Sequence, residues 1–234
     1  MTERSRLEPR PPQNEPSRGT VLLVHGLWLH PVAMALMRGR LARQGYDVLA
    51  YAYPTVSLGF AENVERLRQY CDRLIPGKLH LVGHSMGGLV ALETASLLPR
   101  ARLGRLVLVG TPFRDSFAAR SLQRLPGGRR ILGRCMPEWL QAPSAGPFDA
   151  CELGVIAGCR GIGLGRVIAP RLPKPHDGVV SVAETHVPGM RDHIVLSVSH
   201  TEMLVSRAVV RQVATFLERG TFDRTQPHCP SVNW

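Results

Sequence analysis

The run Lys78-Leu-His-Leu-Val-Gly-His-Ser-Met-Gly-Gly-Leu-Val-Ala-Leu constrains this chain more than any other segment. Gly83, Ser85 and Gly87 form G-x-S-x-G, and Gly88 adds a second small residue behind it. Leu79 to Val82 is a short apolar run suited to a buried strand, and Leu89 to Leu98 is a helix-forming stretch rich in Ala and Leu. A strand that turns so abruptly into a helix holds the residue at its apex strained and its side chain exposed. Glycines two residues to either side remove the side chains that would keep strand and helix apart. Any glycine-rich chain matches five such residues by chance. The strand before the motif and the helix after it give it force, and they mark Ser85 as a candidate nucleophile.

The flanking sequence repeats this rhythm. Thr20 to Val24 reads as a buried strand stopping at His25-Gly26, and Met34 to Gln44 as a helix closed by Gly45. Asp47 to Tyr51 gives the next strand. Ala61 to Ile75 is an amphipathic helix with Val64, Leu67, Cys71 and Leu74 on its apolar stripe. Arg105 to Val109, Leu153 to Ala157 and Asp192 to Val198 supply further strands, and Leu204 to Leu217 the closing helix. Strands alternating with helices argue for an α/β domain built on a mostly parallel sheet. From Pro112 to Pro147 the rhythm breaks into a stretch rich in Pro, Gly and Arg, too long for a plain connection, which predicts small helices over the sheet edge.

At 234 residues, with 44% hydrophobic content, the chain suits one soluble globular domain over residues 19–234, with an insertion at about 112–150. Met1 to Arg18 is polar and proline-bearing, without the apolar core of a signal peptide, and predicts a disordered tail on a cytoplasmic protein. Cys71, Cys135, Cys151, Cys159 and Cys229 form no metal-ligand spacing; their odd number predicts reduced, mostly buried thiols, with Cys151–Cys159 as the pair to bridge in an oxidising compartment. The net charge of +11 is mostly arginine spread along the chain, densest from Arg114 to Arg134. No nucleic-acid-binding motif accompanies it, so no specific nucleic-acid partner is expected. Two readings of the basic stretch stay open: a solvated face, or weak attraction to anionic membrane surfaces.

A serine hydroxyl needs a base and an orienting acid to act as a nucleophile. In a strand–helix alternation of this kind they follow in the order Ser, acid, His, each just past a strand. His200 directly follows the last strand. Asp177 lies in the turn His176-Asp177-Gly178, beyond the Leu153 strand. Asp149, Glu184 and Asp192 are the alternative acids; Asp192 precedes its strand and so belongs at the wrong end of a parallel sheet. Acyl transfer also needs two preset donors for the oxyanion. Met86 N–H, opening the elbow helix, is one; Leu27 N–H in the loop after the first strand is the other, with Trp28 beside it.

Leu22-Leu-Val-His-Gly-Leu-Trp, Gly83-His-Ser-Met-Gly-Gly, the Asp177-Gly178 turn and Ser199-His200 together resemble the α/β-hydrolase superfamily, and within it bacterial lipase/esterase-like serine hydrolases with a small cap. The resemblance implies an eight-stranded, mostly parallel sheet, here shorter by one or two edge strands. It also implies a Ser85–His200–Asp177 triad that needs no metal and no cofactor. The Pro112–Pro147 insertion falls where such proteins carry their cap, which makes Phe113, Phe117 and Trp139 candidate substrate-binding residues, with Trp28 of the loop after the first strand a fourth; core packing explains all four equally well. The expected activity is cleavage of a small-molecule or lipid carboxylic ester. An acyltransferase or thioesterase using the same machinery is the nearest alternative, and a non-catalytic binding protein a more distant one.

Overall fold

The computed structural model describes residues 17–142, 148–163, 168–225 and 228–229. The expected disordered tail lies outside them apart from Ser17 and Arg18, as do residues 143–147 of the insertion. Six strands form one sheet in the order β2-β1-β3-β4-β5-β6. They are β1 (Thr20–Val24), β2 (Asp47–Tyr51), β3 (Leu79–His84), β4 (Leu103–Val109), β5 (Glu152–Gly158) and β6 (Asp192–Leu196), and every pairing is parallel. Parallel strands crossed by helices are covered on both faces, so they read as unbroken apolar runs. In β1, Leu22 and Val24 pack toward α2 (Phe60–Leu74) and α3 (Met86–Leu97), while Val21 and Leu23 pack toward α1 (Ala35–Ala42) and the C-terminal helix Arg207–Arg219.

The insertion folds as three short helices: α4 (Phe117–Gln123), α5 (Gly128–Leu132) and α6 (Cys135–Gln141). The C-terminal helix is therefore α7. Ser116 caps α4 by accepting from Ala119 N at 3.3 Å. The Glu138 carboxylate of α6 accepts from Ala61 N at 3.0 Å, satisfying an orphan donor in the first turn of α2. Met136 and Trp139 join Val64 and Leu67 of α2 in the same core, so the insertion is continuous with the core beneath it.

Three sequence-based boundaries move, each for a local reason. The elbow helix starts at Met86 because nothing separates it from the strand turn. A 3-10 turn at Pro31–Met34 precedes α1. Another, at Glu202–Leu204, delays α7 until Ser206 caps it through Val209 N. The cysteine expectation needs correction. Cys159 and Cys229, 70 residues apart, are joined in a disulfide, while Cys151 is free. The segment after α7 returns along β6, where Cys229 N donates to Val195 O at 2.8 Å, and this brings Cys229 beside the end of β5. No helix among the described residues is long and apolar enough to cross a membrane.

Candidate active site

The site lies beyond the C-terminal ends of β1, β3, β5 and β6, where an open parallel sheet leaves its crevice. Ser85 joins β3 to α3 with φ 54° and ψ −128°, a left-handed conformation for a residue that carries a side chain. The surrounding glycines are a steric requirement. A Cβ on Gly83 would stand 2.4 Å from Gly88 Cα, and one on Gly87 would stand 2.2 Å from the His25 carbonyl oxygen. A Cβ on Gly26 would come within 3.0 Å of Ser85 Cβ, so the turn after β1 rests directly against the serine.

Asp177 and His200 meet although 23 residues separate them. The His200 ring, its Nδ1 protonated because an ionised carboxylate only accepts, donates to Asp177 Oδ2 at 2.7 Å. His200 N also donates to the Asp177 carbonyl at 2.9 Å. The second carboxylate oxygen, Oδ1, accepts from Val179 N at 2.8 Å and Val180 N at 2.7 Å. Asp177 is 1% exposed, so these partners stand in for water around its charge. The tight turn that folds the two amides back needs Gly178, whose φ is +102°.

The alternative acids are occupied elsewhere. Asp149 is exposed and paired with Arg100. Asp192 sits at the N-terminal end of β6, where it binds Arg224 and accepts from Phe222 N. Buried Glu184, its carboxyl pushed above the ordinary range by burial, accepts from Phe117 N at 2.6 Å and from Ser181, which ties α4 to the Asp177 loop.

Two buried histidines, His25 and His84, pack against the turns that carry Ser85 and His200. His84 Nε2–H donates to the His200 carbonyl at 3.2 Å, and the two rings lie 4.8 Å apart. Burial pushes the His84 pKa down to about 3, so it stays neutral beside His200. His25 donates through Nδ1 to the Gly26 carbonyl at 3.1 Å, and the same carbonyl accepts from Leu29 N. Because the peptide unit is planar and trans, fixing that carbonyl turns Leu27 N–H to the opposite side. Tyr53 braces this turn, donating to the His25 carbonyl at 2.7 Å and stacking on its ring. Trp28 N donates to Thr55 Oγ1, so the amide after Leu27 is engaged away from the cleft floor. Met86 is the first residue of α3, so its N–H has no intrahelical acceptor.

A cleft of about 440 Å³ opens over Ser85 and His200. Its walls are largely apolar, with Leu27 and Trp28 on one side and Leu122, Leu132, Met136, Ile162 and Leu204 around the rest. Of the four predicted substrate-binding residues, Trp28 lines it. Phe113 and Trp139 do not: they are 5% and 1% exposed and belong to the core behind the cleft. Phe117 packs beside Ala118, Ala169 and Leu172. The wall residues that sequence reasoning missed carried one usable signal. Ala118, Ala119 and Leu122 sit at helical spacing on α4, the inner face of a short amphipathic turn.

The family model for the alpha/beta hydrolase family matches residues 21–230. This chain belongs to the alpha/beta hydrolase family. The mature lipase BlEst2 of Bacillus licheniformis superposes with a TM-score of 0.66 at 17% identity, covering 89% of this chain and 94% of the lipase. The metagenomic carboxyl esterase MGS0156 gives 0.62 at 19% identity over 83% of this chain and 70% of the esterase. The phospholipase PlaB of Legionella pneumophila gives 0.67 at 14% identity over 87% of this chain and 60% of the phospholipase. At these identities the likeness is one of fold. No individually curated protein sequence matches the chain.

Proposed function

We propose that this alpha/beta hydrolase is a serine esterase that cleaves carboxylic esters through an acyl-enzyme. The observation that carries the reading is the Asp177–His200 pair, closed at 2.7 Å, with His200 lining the same cleft as the strained Ser85. Ser85 Oγ attacks the acyl carbonyl carbon while His200 Nε2 takes its proton. The carbonyl oxygen becomes an oxyanion held by the amides of Leu27 and Met86. As the tetrahedral intermediate collapses, the C–O bond to the leaving alcohol breaks and His200 returns the proton to that alcohol. Water, deprotonated by the same imidazole, then attacks the acyl-enzyme; the acid leaves and Ser85 regains its proton. Asp177 holds the ring in the tautomer that this sequence of transfers requires. The scheme calls on no metal or cofactor.

The apolar walls suit an acyl chain or another apolar ester group, and the lipase, esterase and phospholipase names of the similar structures point to the same class of substrate. The test is Ser85→Ala. Hydrolysis of a short-chain aryl ester and covalent labelling by a fluorophosphonate should both vanish while the melting curve is kept. Hydrolysis at the native rate by that variant would overturn the assignment.

A further inference from the structure

Isolated exposed apolar side chains are normal on a soluble protein, so what informs here is where they sit. Among the described residues nine large ones are exposed: Trp28, Val32, Leu36, Val56, Leu97, Leu125, Ile131, Ile162 and Val205. All but Leu97, which ends α3 at the opposite end of the sheet, lie in the loops, short helices or first helical turns that follow the C-terminal ends of the strands, the end that carries the cleft. Several touch one another's segments. Trp28 Nε1 donates to the Ile131 carbonyl at 2.9 Å, and Arg134 N donates to the Val56 carbonyl at 2.8 Å.

The helix α5 and the connections on either side of it concentrate the pattern. Leu122 and Leu132 face the cleft, while Leu125 and Ile131, 49% and 53% exposed, face outward. Interleaved with these outer residues are Arg124, Arg129, Arg130 and Arg134, all exposed. Arg114 and Arg120 of the same stretch are engaged by His186 and Asp115, but no ion pair among the described residues involves those four. Apolar side chains set among unneutralised guanidinium groups suit a partner that is anionic at its surface and apolar just beneath, as a phospholipid bilayer is.

We propose that the rim of the cleft, centred on α5 and the loop that joins it to α4, docks on the surface of an anionic phospholipid bilayer with the cleft mouth turned toward it. Leu125 and Ile131 enter the headgroup layer, and Arg124, Arg129, Arg130 and Arg134 lie against the lipid phosphates. Delivery of an ester to Ser85 from that surface rests on the proposed esterase activity; docking itself does not.

The two readings separate when docking is measured on the full chain carrying Ser85→Ala, which turns nothing over. Flotation with vesicles of phosphatidylcholine alone should recover little protein. Mixed phosphatidylcholine–phosphatidylglycerol vesicles should carry it up, and less as salt rises. Arg129→Gln with Arg130→Gln should weaken partitioning by about 25-fold, roughly fivefold per charge. Leu125→Ser with Ile131→Ser should weaken it by about tenfold or more. The charge-matched pair Arg73→Gln with Arg219→Gln, exposed at the far ends of α2 and α7, should change it less than about twofold if the face and not total charge is read. An equal loss in that control pair overturns the proposal, as does absence of binding to both vesicles. So does a dimer seen by light scattering that Leu125→Ser with Ile131→Ser dissolves, because the face would then be covered by a second copy.

Discussion

Replacing Asp177 by asparagine changes almost no volume and removes a single charge, which isolates the orienting role proposed for this residue. In the native site Oδ1 accepts from Val179 N and Val180 N at 2.8 and 2.7 Å, and Oδ2 accepts from His200 Nδ1 at 2.7 Å. The asparagine must keep its carbonyl oxygen on the two amides, since the reverse rotamer would set its NH2 against two N–H donors. The NH2 therefore faces His200, where donor now meets donor. The ring escapes by shifting its proton to Nε2, leaving Nδ1 as an acceptor for the new amide. An imidazole protonated at Nε2 has no lone pair there to receive the Ser85 proton. A misplaced tautomer of this kind costs about 10⁴ in kcat, or about 5.4 kcal/mol of transition-state stabilisation. The assay is steady-state hydrolysis of a soluble p-nitrophenyl ester by Asp177→Asn and native protein, with a thermal melt showing an intact fold. KM should move little while kcat collapses. A kcat within tenfold of native, with the melt unchanged, would refute the reasoning that Asp177 sets the tautomer of the base.

Further outcomes follow from the packing and the buried histidines. Gly83→Ala would drive a methyl group to 2.4 Å from Gly88 Cα, between backbone atoms that have no way to give, so the cost is about 3 kcal/mol or more. A urea midpoint equal to native would contradict the close strand–helix approach at the elbow. Burial depresses His80 to about 4, His84 to about 3 and His193 to about 4 from an ordinary 6.5. Each folded value lies below the unfolded one, so the stability these groups contribute is present above pH 6.5 and is lost as pH falls toward the folded pKa. At about pH 5 the loss is about 2 kcal/mol per histidine. Urea midpoints at pH 5 and above neutrality should therefore differ sharply, and equal midpoints would show that these rings are not held neutral by the fold.

The elbow and the strands were legible because their signals are local. Stretches such as 21–24 and 106–109 are apolar runs buried on both faces, and the glycines at 83, 87 and 88 mark a single turn in the sequence even though the atoms that exclude a side chain at Gly87 and Gly88 belong to the distant His25 and Thr111. That Asp177 and His200 lie together could be read from chain order, since a parallel sheet places the ends of successive strands on one rim. Asp192 could be set aside on the same ground.

Only the tertiary structure decided which side chains wall the cleft. Phe113, Phe117 and Trp139 are the aromatic residues within 112–147, and apart from the helical spacing of Ala118, Ala119 and Leu122 nothing local told a core position from a pocket wall. The structure turned Trp139 into the core through the packing of α6 on α2 and left the cleft to Leu122, Leu132 and Met136. The Cys159–Cys229 bridge was hidden for the same reason: it depends on the chain after α7 returning along β6, a path that no spacing encodes. The sequence by itself determined the order of strands and helices and the residues at their ends, because backbone sterics and burial period act over a few residues. Where Trp28, Ile131 and Arg130 stand relative to the serine was decided by long-range packing, since segments far apart in the chain meet there only when the sheet closes on its helices.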